Sequence, residues 1–121
     1  MDQPKQKILI NWRAGAERAE DATVTLILAV TSAKTCETAL FVAAEASGLL
    51  VRGAAAAVNA PGYEQLADLL SAFVASGGRI WLCPACVKAK GIDPDSLIDG
   101  VEVAGAPKSL AFLDSGAQML A

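Results

Sequence analysis

The sequence contains no histidine, and this absence removes several kinds of chemistry at once. A Ser-His or Cys-His catalytic pair and a His-liganded metal site both require an imidazole ring. Aromatic residues are scarce at 5%, and charged residues make up only 19% of the 121 positions. Acidic side chains outnumber basic ones by 13 to 10, so the chain lacks the basic surface typical of nucleic-acid binding. We therefore expect no nucleic-acid partner and no histidine-based catalysis.

Long hydrophobic runs are missing as well. The longest apolar stretch, from Ala22 to Ala33, is interrupted by Thr and Ser residues and is much shorter than the ~20 residues that span a bilayer. The N-terminal stretch, residues 1–13, has too few consecutive apolar residues for the hydrophobic region of a signal peptide. We expect no membrane partner. We also expect cytoplasmic thiols at Cys36, Cys83 and Cys86 rather than a disulfide framework.

What the sequence does have is 54% hydrophobic residues, arranged in short apolar runs that alternate with helix-like stretches. This alternation is typical of an α/β fold with a parallel sheet that is buried on both faces. A chain of this length can bury a core without disulfides or metals. No linker interrupts the pattern, so we expect a single domain over residues 1–121. The expected strands are 7–12, 38–43, 79–83, 100–104 and 117–120.

Helix signals lie between these runs. Apolar residues recur at helical spacing over 66–74, and Gly77 follows them. Pro107 begins another short helix, and Asp93 is expected to cap a single turn. The segment 17–34 fits a strand through its β-branched residues, but it also fits a helix through an apolar stripe. The pattern leaves both open, and a helix here would expose a second apolar side of the kind found at subunit contacts.

The most informative segment is 77–91, in which an apolar strand delivers Cys83 at its carboxyl end. Pro84 suits the first position of a short helix, and Gly91 suits its end. Cys83 is therefore expected at the N-cap, where the backbone amides of Ala85 and Cys86 would point at its sulfur and favour an anion. Open α/β sheets also bind ligands at the carboxyl ends of their strands. These considerations make Cys83 the candidate catalytic residue.

Four interpretations of the Cys83–Cys86 pair are open. Zinc requires four ligands, which three cysteines and no histidine do not supply. A thioredoxin-like dithiol fits the C-x-x-C spacing, although that motif follows the first strand of its fold and precedes a longer helix. The third interpretation is a single nucleophilic or carrier Cys83, with Cys86 as a resolving or supporting thiol. The fourth is that both thiols are small, inert, buried groups.

Other side chains are candidates for the same end of the sheet. Asn11 and Glu45 follow the first two strands, and Lys90 lies close to Cys83 in sequence. Their ordinary alternatives are a turn residue, a helix-terminal acid and a solvated lysine. Cys36 precedes the second strand and is expected at the opposite end of the sheet. The Ala- and Gly-rich stretch 48–62 lacks the spacing of a nucleotide-binding loop and is expected to be a lid or an interface arm. We expect no cofactor and no metal.

Over residues 7–120 the sequence resembles the DsrE/DsrF/TusD-like sulfur-relay family. The most specific match is a strand that ends in Cys83 and is followed eight residues later by Gly91. The other matching segments keep the order of the family's elements and are 7–11, 17–19, 22–24, 37–42, 48–50, 79–92 and 97–103.

The resemblance implies a three-layer α/β/α domain with a mainly parallel, flavodoxin- or Rossmann-like sheet of four or five strands, and a helix over residues 19–34. It also implies a homo-oligomer, a trimer or hexamer, with other sulfur-relay proteins as donor and acceptor. Family members that act in sulfur relay carry sulfane sulfur as a persulfide on one cysteine, and Cys83 matches that position.

Two departures from the family pattern concern the candidate site. Lys90 stands where many relatives have Arg, so any anion contact there would be a point charge rather than a bidentate fork. Cys86 is absent from the relay proteins themselves. The alternatives to a sulfur carrier are therefore a dithiol-disulfide oxidoreductase that uses Cys83 and Cys86, and a non-catalytic oligomeric binding subunit.

Overall fold

The five short apolar runs form five strands of one sheet. A computed structural model describes residues 5–120, and the beginning of the N-terminal stretch (1–4) and residue 121 lie outside the described residues. The strands are β1 (Lys7–Trp12), β2 (Glu37–Val42), β3 (Arg79–Leu82), β4 (Val101–Val103) and β5 (Gln118–Leu120). Every expected strand is present, and the observed ends differ from the expected ones by at most one residue. The parallel-sheet prediction is confirmed.

All strand pairs are parallel, in the order β4-β3-β2-β1-β5. Parallel neighbours require crossover connections, which are right-handed in nearly all proteins. The chain moves from β1 to β4 in one direction across the sheet, and its helices α1 (Ala19–Ala33) and α2 (Leu66–Ala75) pack on one face. It then returns to β5 through α4 (Ala106–Asp114), which packs on the other face. The result is the three-layer α/β/α arrangement.

The alternation of side chains along the strands divides the core into two parts. The larger part joins α1 and α2 to residues such as Ile10, Leu40 and Leu82, all fully buried. The smaller part joins α4 to Leu9, Ala39 and Trp81 on the opposite face. There the rings of Trp81 and Phe112 meet edge to face, with centroids 5.3 Å apart and an interplanar angle of 87°.

The segment that the pattern left open is helix α1. Its inner stripe buries Ala22, Leu26 and Ala29, as the helical alternative required. The Thr hydroxyls are accommodated because they donate to carbonyls one turn earlier, for example Thr23 Oγ1 to the Ala19 oxygen at 2.7 Å. The outer side exposes Val24, Ile27 and Leu28, by 46%, 36% and 42%. No helix in residues 5–120 is long and apolar enough to cross a membrane.

The stretch 48–62 is more closely packed than the expected lid or arm. It contributes to two 3₁₀ segments, Ala44–Leu50 and Ala55–Ala57, and buries Leu49, Leu50 and Val58. Arg52 donates from its backbone amide to the Ser96 oxygen at 2.8 Å and from its guanidinium to the Leu97 oxygen at 3.2 Å. These bonds attach the stretch to the body of the protein. They thereby hold the residues that follow β2 beside the carboxyl end of β3.

Candidate functional site

The strand-to-helix turn after β3 is built as expected. The backbone N–H of Cys83 donates to the Val42 oxygen at 2.9 Å. This hydrogen bond continues the sheet pairing one residue past Leu82. Helix α3 (Pro84–Ala89) begins at Pro84, Cys83 occupies its N-cap, and Gly91 after the helix has a φ of +63°. Both Cys83 and Cys86 are partly exposed free thiols.

One detail of this turn differs from the prediction. The side chain of Cys83 accepts no capping hydrogen bond, so the amides of Ala85 and Cys86 do not hold its sulfur. The backbone at Cys83 (φ −57°, ψ 118°) supports the turn, but a thiol sulfur is a weak acceptor compared with the oxygens that favour N-caps. The expected anion contact at Cys83 is therefore absent from this structure.

The hydrogen-bonded thiol is instead that of Cys86. Its Sγ accepts the backbone N–H of Ala44 at 3.3 Å, from the segment that follows β2. This bond is the main cause that lowers the pKa of the Cys86 thiol below its ordinary value, and partial burial opposes it. The nearby side chains of Cys83 and Ser47 and the positive charge of Lys90 lower the pKa further. These surroundings favour the thiolate form of Cys86.

Ala44 reaches Cys86 from an unusual backbone conformation. Its φ is +54°, and among residues 5–120 it is the only non-glycine residue with a positive φ. The left-handed conformation costs a residue with a Cβ about 1–2 kcal/mol. Backbone strain of this kind is found where the surrounding structure requires it, often at functional sites. Here it accompanies the donation of the Ala44 N–H to the thiol.

Ser47 adds a buried hydroxyl to the same environment. Its side chain is fully buried, and its Oγ makes no hydrogen bond of normal geometry to any residue in 5–120. It nevertheless lies close enough to Cys86 to contribute to the lowered pKa of that thiol. A buried hydroxyl without a partner is costly, so Ser47 is an unsatisfied polar group beside Cys86.

Two of the predicted lining residues form an ion pair beside the thiols. Lys90 Nζ lies 3.0 Å from Glu45 Oε1, which connects the end of α3 to the segment after β2. The side chains are 32% and 62% exposed, so the pair is screened by solvent and contributes little to stability. Its position matters more, because Lys90 brings a positive charge toward Cys86.

Asn11 is not brought to the thiols. Its register partner is Phe41 on β2, which is level with Trp81 on β3, so two strand spacings of about 4.8 Å each separate Asn11 from that strand. Its amide donates to Met119 Sδ at 3.5 Å, on the opposite side. The sequence placed Asn11 at the correct edge of the sheet, but the strand order moves it away from the cysteines.

Cys36 lies at the amino end of β2, as expected. The six residues of β2 place it about 20 Å from the carboxyl edge where Cys83 lies. The three thiols therefore cannot share one metal ion. Within residues 5–120 no three His, Cys, Asp or Glu side chains are grouped so that they could hold one.

Sequence reasoning missed Ala44 and Ser47. Both lie in the short segment after β2 that also contains the predicted Glu45, but neither residue type carries chemistry that marks it in a sequence. One acts through its backbone amide and the other through a hydroxyl that only tertiary packing brings near Cys86.

The fold and this turn define a class of protein: an all-parallel α/β domain with two neighbouring thiols at the carboxyl edge of its sheet. The chain belongs to the DsrE/DsrF-like family, whose model matches residues 6–121. This family is associated with sulfur relay.

Known proteins similar to this chain include one curated relative and several solved structures. "Uncharacterized protein MJ0760" of Methanocaldococcus jannaschii is 29% identical over 100 residues, which are 82% of this chain and 36% of that protein. The chain thus spans little more than a third of that relative. The ychN protein of E. coli has a TM-score of 0.76 at 24% identity, with 94% of this chain and 96% of that chain covered. MTH1491 of Methanobacterium thermoautotrophicum has a TM-score of 0.67 at 14% identity, with 96% and 97% covered. At these identities the two structures show the fold alone.

Proposed function

We propose that this protein carries sulfane sulfur as a persulfide on Cys83 and passes it between protein thiols. The observation that carries the proposal is the pair of partly exposed thiols at the carboxyl edge, beside the amide of Ala44 and the charge of Lys90. The family's association with sulfur relay supports the same chemistry. Cys83 stands at the end of the strand, where a second protein has access to it.

The reaction has the form of thiol–disulfide exchange. The Cys83 thiolate attacks the terminal sulfur of a donor persulfide, so that a new sulfur–sulfur bond forms as the donor's own bond breaks and the donor leaves as a thiolate. An acceptor thiolate then attacks the terminal sulfur on Cys83 and takes it in the same way. The reaction needs thiolates and physical access rather than a general base, which suits a site without histidine.

Cys86 has a supporting role in this proposal. Its pKa is lowered chiefly by the Ala44 amide, and Cys83 lies close enough to contribute to that shift. A negative charge on the terminal sulfur would be compensated by Lys90, whose ion pair with Glu45 holds it over the turn. The amides of Ala85 and Cys86 remain candidates for the same role once Cys83 carries a charged group.

Intact-mass spectrometry tests the proposal directly. The reduced wild-type protein is exposed to inorganic polysulfide and desalted. The Cys36→Ser, Cys83→Ser and Cys86→Ser variants are treated in the same way in separate samples. We expect a gain of one sulfur atom in Cys86→Ser and none in Cys83→Ser, and Cys36→Ser should behave like the wild type. Equal gain in Cys83→Ser would contradict the assignment of the carrier to Cys83.

A second candidate function is dithiol–disulfide exchange between Cys83 and Cys86, and their C-x-x-C spacing at the start of α3 favours it. This function predicts a loss of two hydrogens on oxidation, with no sulfur gained. It also predicts that the Cys86→Ser variant captures a substrate thiol as a mixed disulfide. Under the carrier function, the same variant would hold a single added sulfur atom.

The partners of the proposed carrier are other sulfur-relay proteins and further copies of the chain. Exposed apolar residues on α1 (Val24, Ile27 and Leu28) form a surface suited to a homo-oligomer, a trimer or hexamer. Light scattering on the native protein and on Leu28→Asp tests this, and we expect the variant to have the smaller mass. An unchanged mass would place the contact elsewhere.

A cytoplasmic location stays a prediction from the cysteine content.

A further inference from the structure

The two thiols at the turn differ in their surroundings, and the difference concerns which one acts as the nucleophile. Cys86 accepts the Ala44 amide at 3.3 Å and has Lys90 and the buried hydroxyl of Ser47 nearby. Cys83 has no capping hydrogen bond. A site that served only to hold sulfur on Cys83 would have no need of a second thiol next to it that is held by its own hydrogen bond.

We propose that Cys86 removes the sulfane sulfur from Cys83 within the same chain, releasing it as hydrosulfide and leaving a Cys83–Cys86 disulfide. This inference rests on the proposed carrier function, since it begins from the Cys83 persulfide. It adds a product, hydrosulfide, and makes the persulfide a short-lived species whose sulfur has two exits: another protein's thiol, or solution.

The step balances without an outside oxidant. The Cys86 thiolate attacks the inner sulfur, Cys83 Sγ, so that the Cys83–Cys86 bond forms while the bond from Cys83 to the terminal sulfur breaks. The attacked species is the protonated persulfide, so the terminal sulfur keeps its proton and leaves with that electron pair as hydrosulfide, while the proton lost by the Cys86 thiol passes to solvent. The terminal sulfur is thereby reduced, and the two cysteine sulfurs are together oxidised to the disulfide. A second turnover requires a dithiol reductant to reopen the disulfide.

The geometry places the attacking and attacked sulfurs on one side of the turn. Cys83 is the N-cap of α3 and Cys86 lies three residues later, a spacing that brings side chains together on one helix face. The side chain of Cys83 lies close enough to Cys86 to contribute to the lowered pKa of that thiol. Attack requires the thiolate form, and the Ala44 amide and Lys90 favour that form at Cys86.

The inference is tested in a single turnover. Wild-type protein and the Cys86→Ser variant are each treated with a limiting amount of a low-molecular-weight persulfide, and hydrosulfide and intact mass are followed with time. We expect the wild type to release one hydrosulfide for each protein that loses two hydrogens, while Cys86→Ser keeps one added sulfur and releases none. Lys90→Met should slow the release at neutral pH, and Lys88→Met, on the same helix, should not.

The outcomes separate the two proposals. A wild-type protein that keeps its added sulfur without forming a disulfide overturns the inference and leaves the carrier function standing. If neither protein takes up sulfur, the carrier function fails and the inference fails with it. A Cys86→Ser protein that gains the donor's whole thiol, rather than one sulfur, supports dithiol exchange and overturns both.

Discussion

Replacing Ala44 by glycine should relieve the one strained backbone position beside the thiols. At φ +54° a Cβ costs about 1–2 kcal/mol, whereas glycine adopts this conformation freely. Glycine also gains freedom in the unfolded chain, worth about 0.4–1 kcal/mol in the opposite direction. Ala44 is exposed, so the loss of its methyl group changes little burial. The expected result for Ala44→Gly is therefore a free energy of unfolding that is unchanged or raised by up to about 1.5 kcal/mol.

The matched control is the preceding residue. Ala43 is in an extended conformation (φ −146°, ψ 173°), where a Cβ meets no such strain. Ala43→Gly should therefore lose about 0.5–1 kcal/mol. The difference between the two variants isolates the left-handed strain and should be about 1–2 kcal/mol, or about 4 °C per kcal/mol in Tm for a chain of this size. Urea and thermal unfolding measure it. If Ala44→Gly costs as much as Ala43→Gly, the strain assigned to Ala44 is refuted.

Two further predictions concern packing and pH. Gly78→Ala places a Cβ 2.5 Å from two carbons of the fully buried Phe73 ring. The free energy of unfolding, measured by urea denaturation, should therefore fall by about 1–3 kcal/mol. Alkylation of Cys86, followed by peptide mass against pH, should begin at lower pH than that of a free thiol such as glutathione, because the Ala44 amide lowers the pKa of Cys86. Lys90→Met should move this alkylation curve to higher pH. The lowered pKa also affects the free energy of unfolding. Because the pKa of Cys86 is lower in the folded state, the stabilisation from its thiolate is fully present above the unfolded-state pKa and is lost as the pH falls through the folded-state pKa.

Each of these has a control within the chain. A Cβ at Gly48 meets no atom within 4 Å, so Gly48→Ala should change stability by less than about 0.5 kcal/mol. Equal losses from Gly48→Ala and Gly78→Ala would show that the Phe73 contact is not the cause. Lys88→Met removes a charge from the same helix without removing the one near Cys86. If Lys88→Met shifts the alkylation curve as far as Lys90→Met, the effect belongs to net charge and not to the site.

The sheet was predictable because each strand lies in a short apolar run, and the three strands β1, β2 and β3 are buried on both faces, whereas the edge strands β4 and β5 are largely exposed. Helix α1 was not decided by pattern, since Thr and Val residues favour a strand locally. The helix forms because parallel β1 and β2 require a crossover, and because the Thr hydroxyls can bond to the preceding turn. The resemblance to a known family supplied that answer in advance.

The candidate site was predictable in part. Pro84 and Gly91 mark the ends of α3, so the position of Cys83 followed from the sequence. The hydrogen-bond donor to the Cys86 thiol could not be predicted in this way, since Ala44 lies 42 residues from Cys86 and acts through its backbone. The strand order, which separates Asn11 from the cysteines, likewise depends on long-range pairing.

The measurement that tests the central claim most directly is the location of sulfur in the loaded Cys86→Ser protein. After exposure to polysulfide and alkylation, its peptides are separated and their masses determined. We expect one additional sulfur atom on the peptide that contains Cys83 and none on the peptide that contains Cys36. Equal labelling of the two peptides, or no added sulfur on either, would contradict the claim that this turn is a built site for sulfane sulfur.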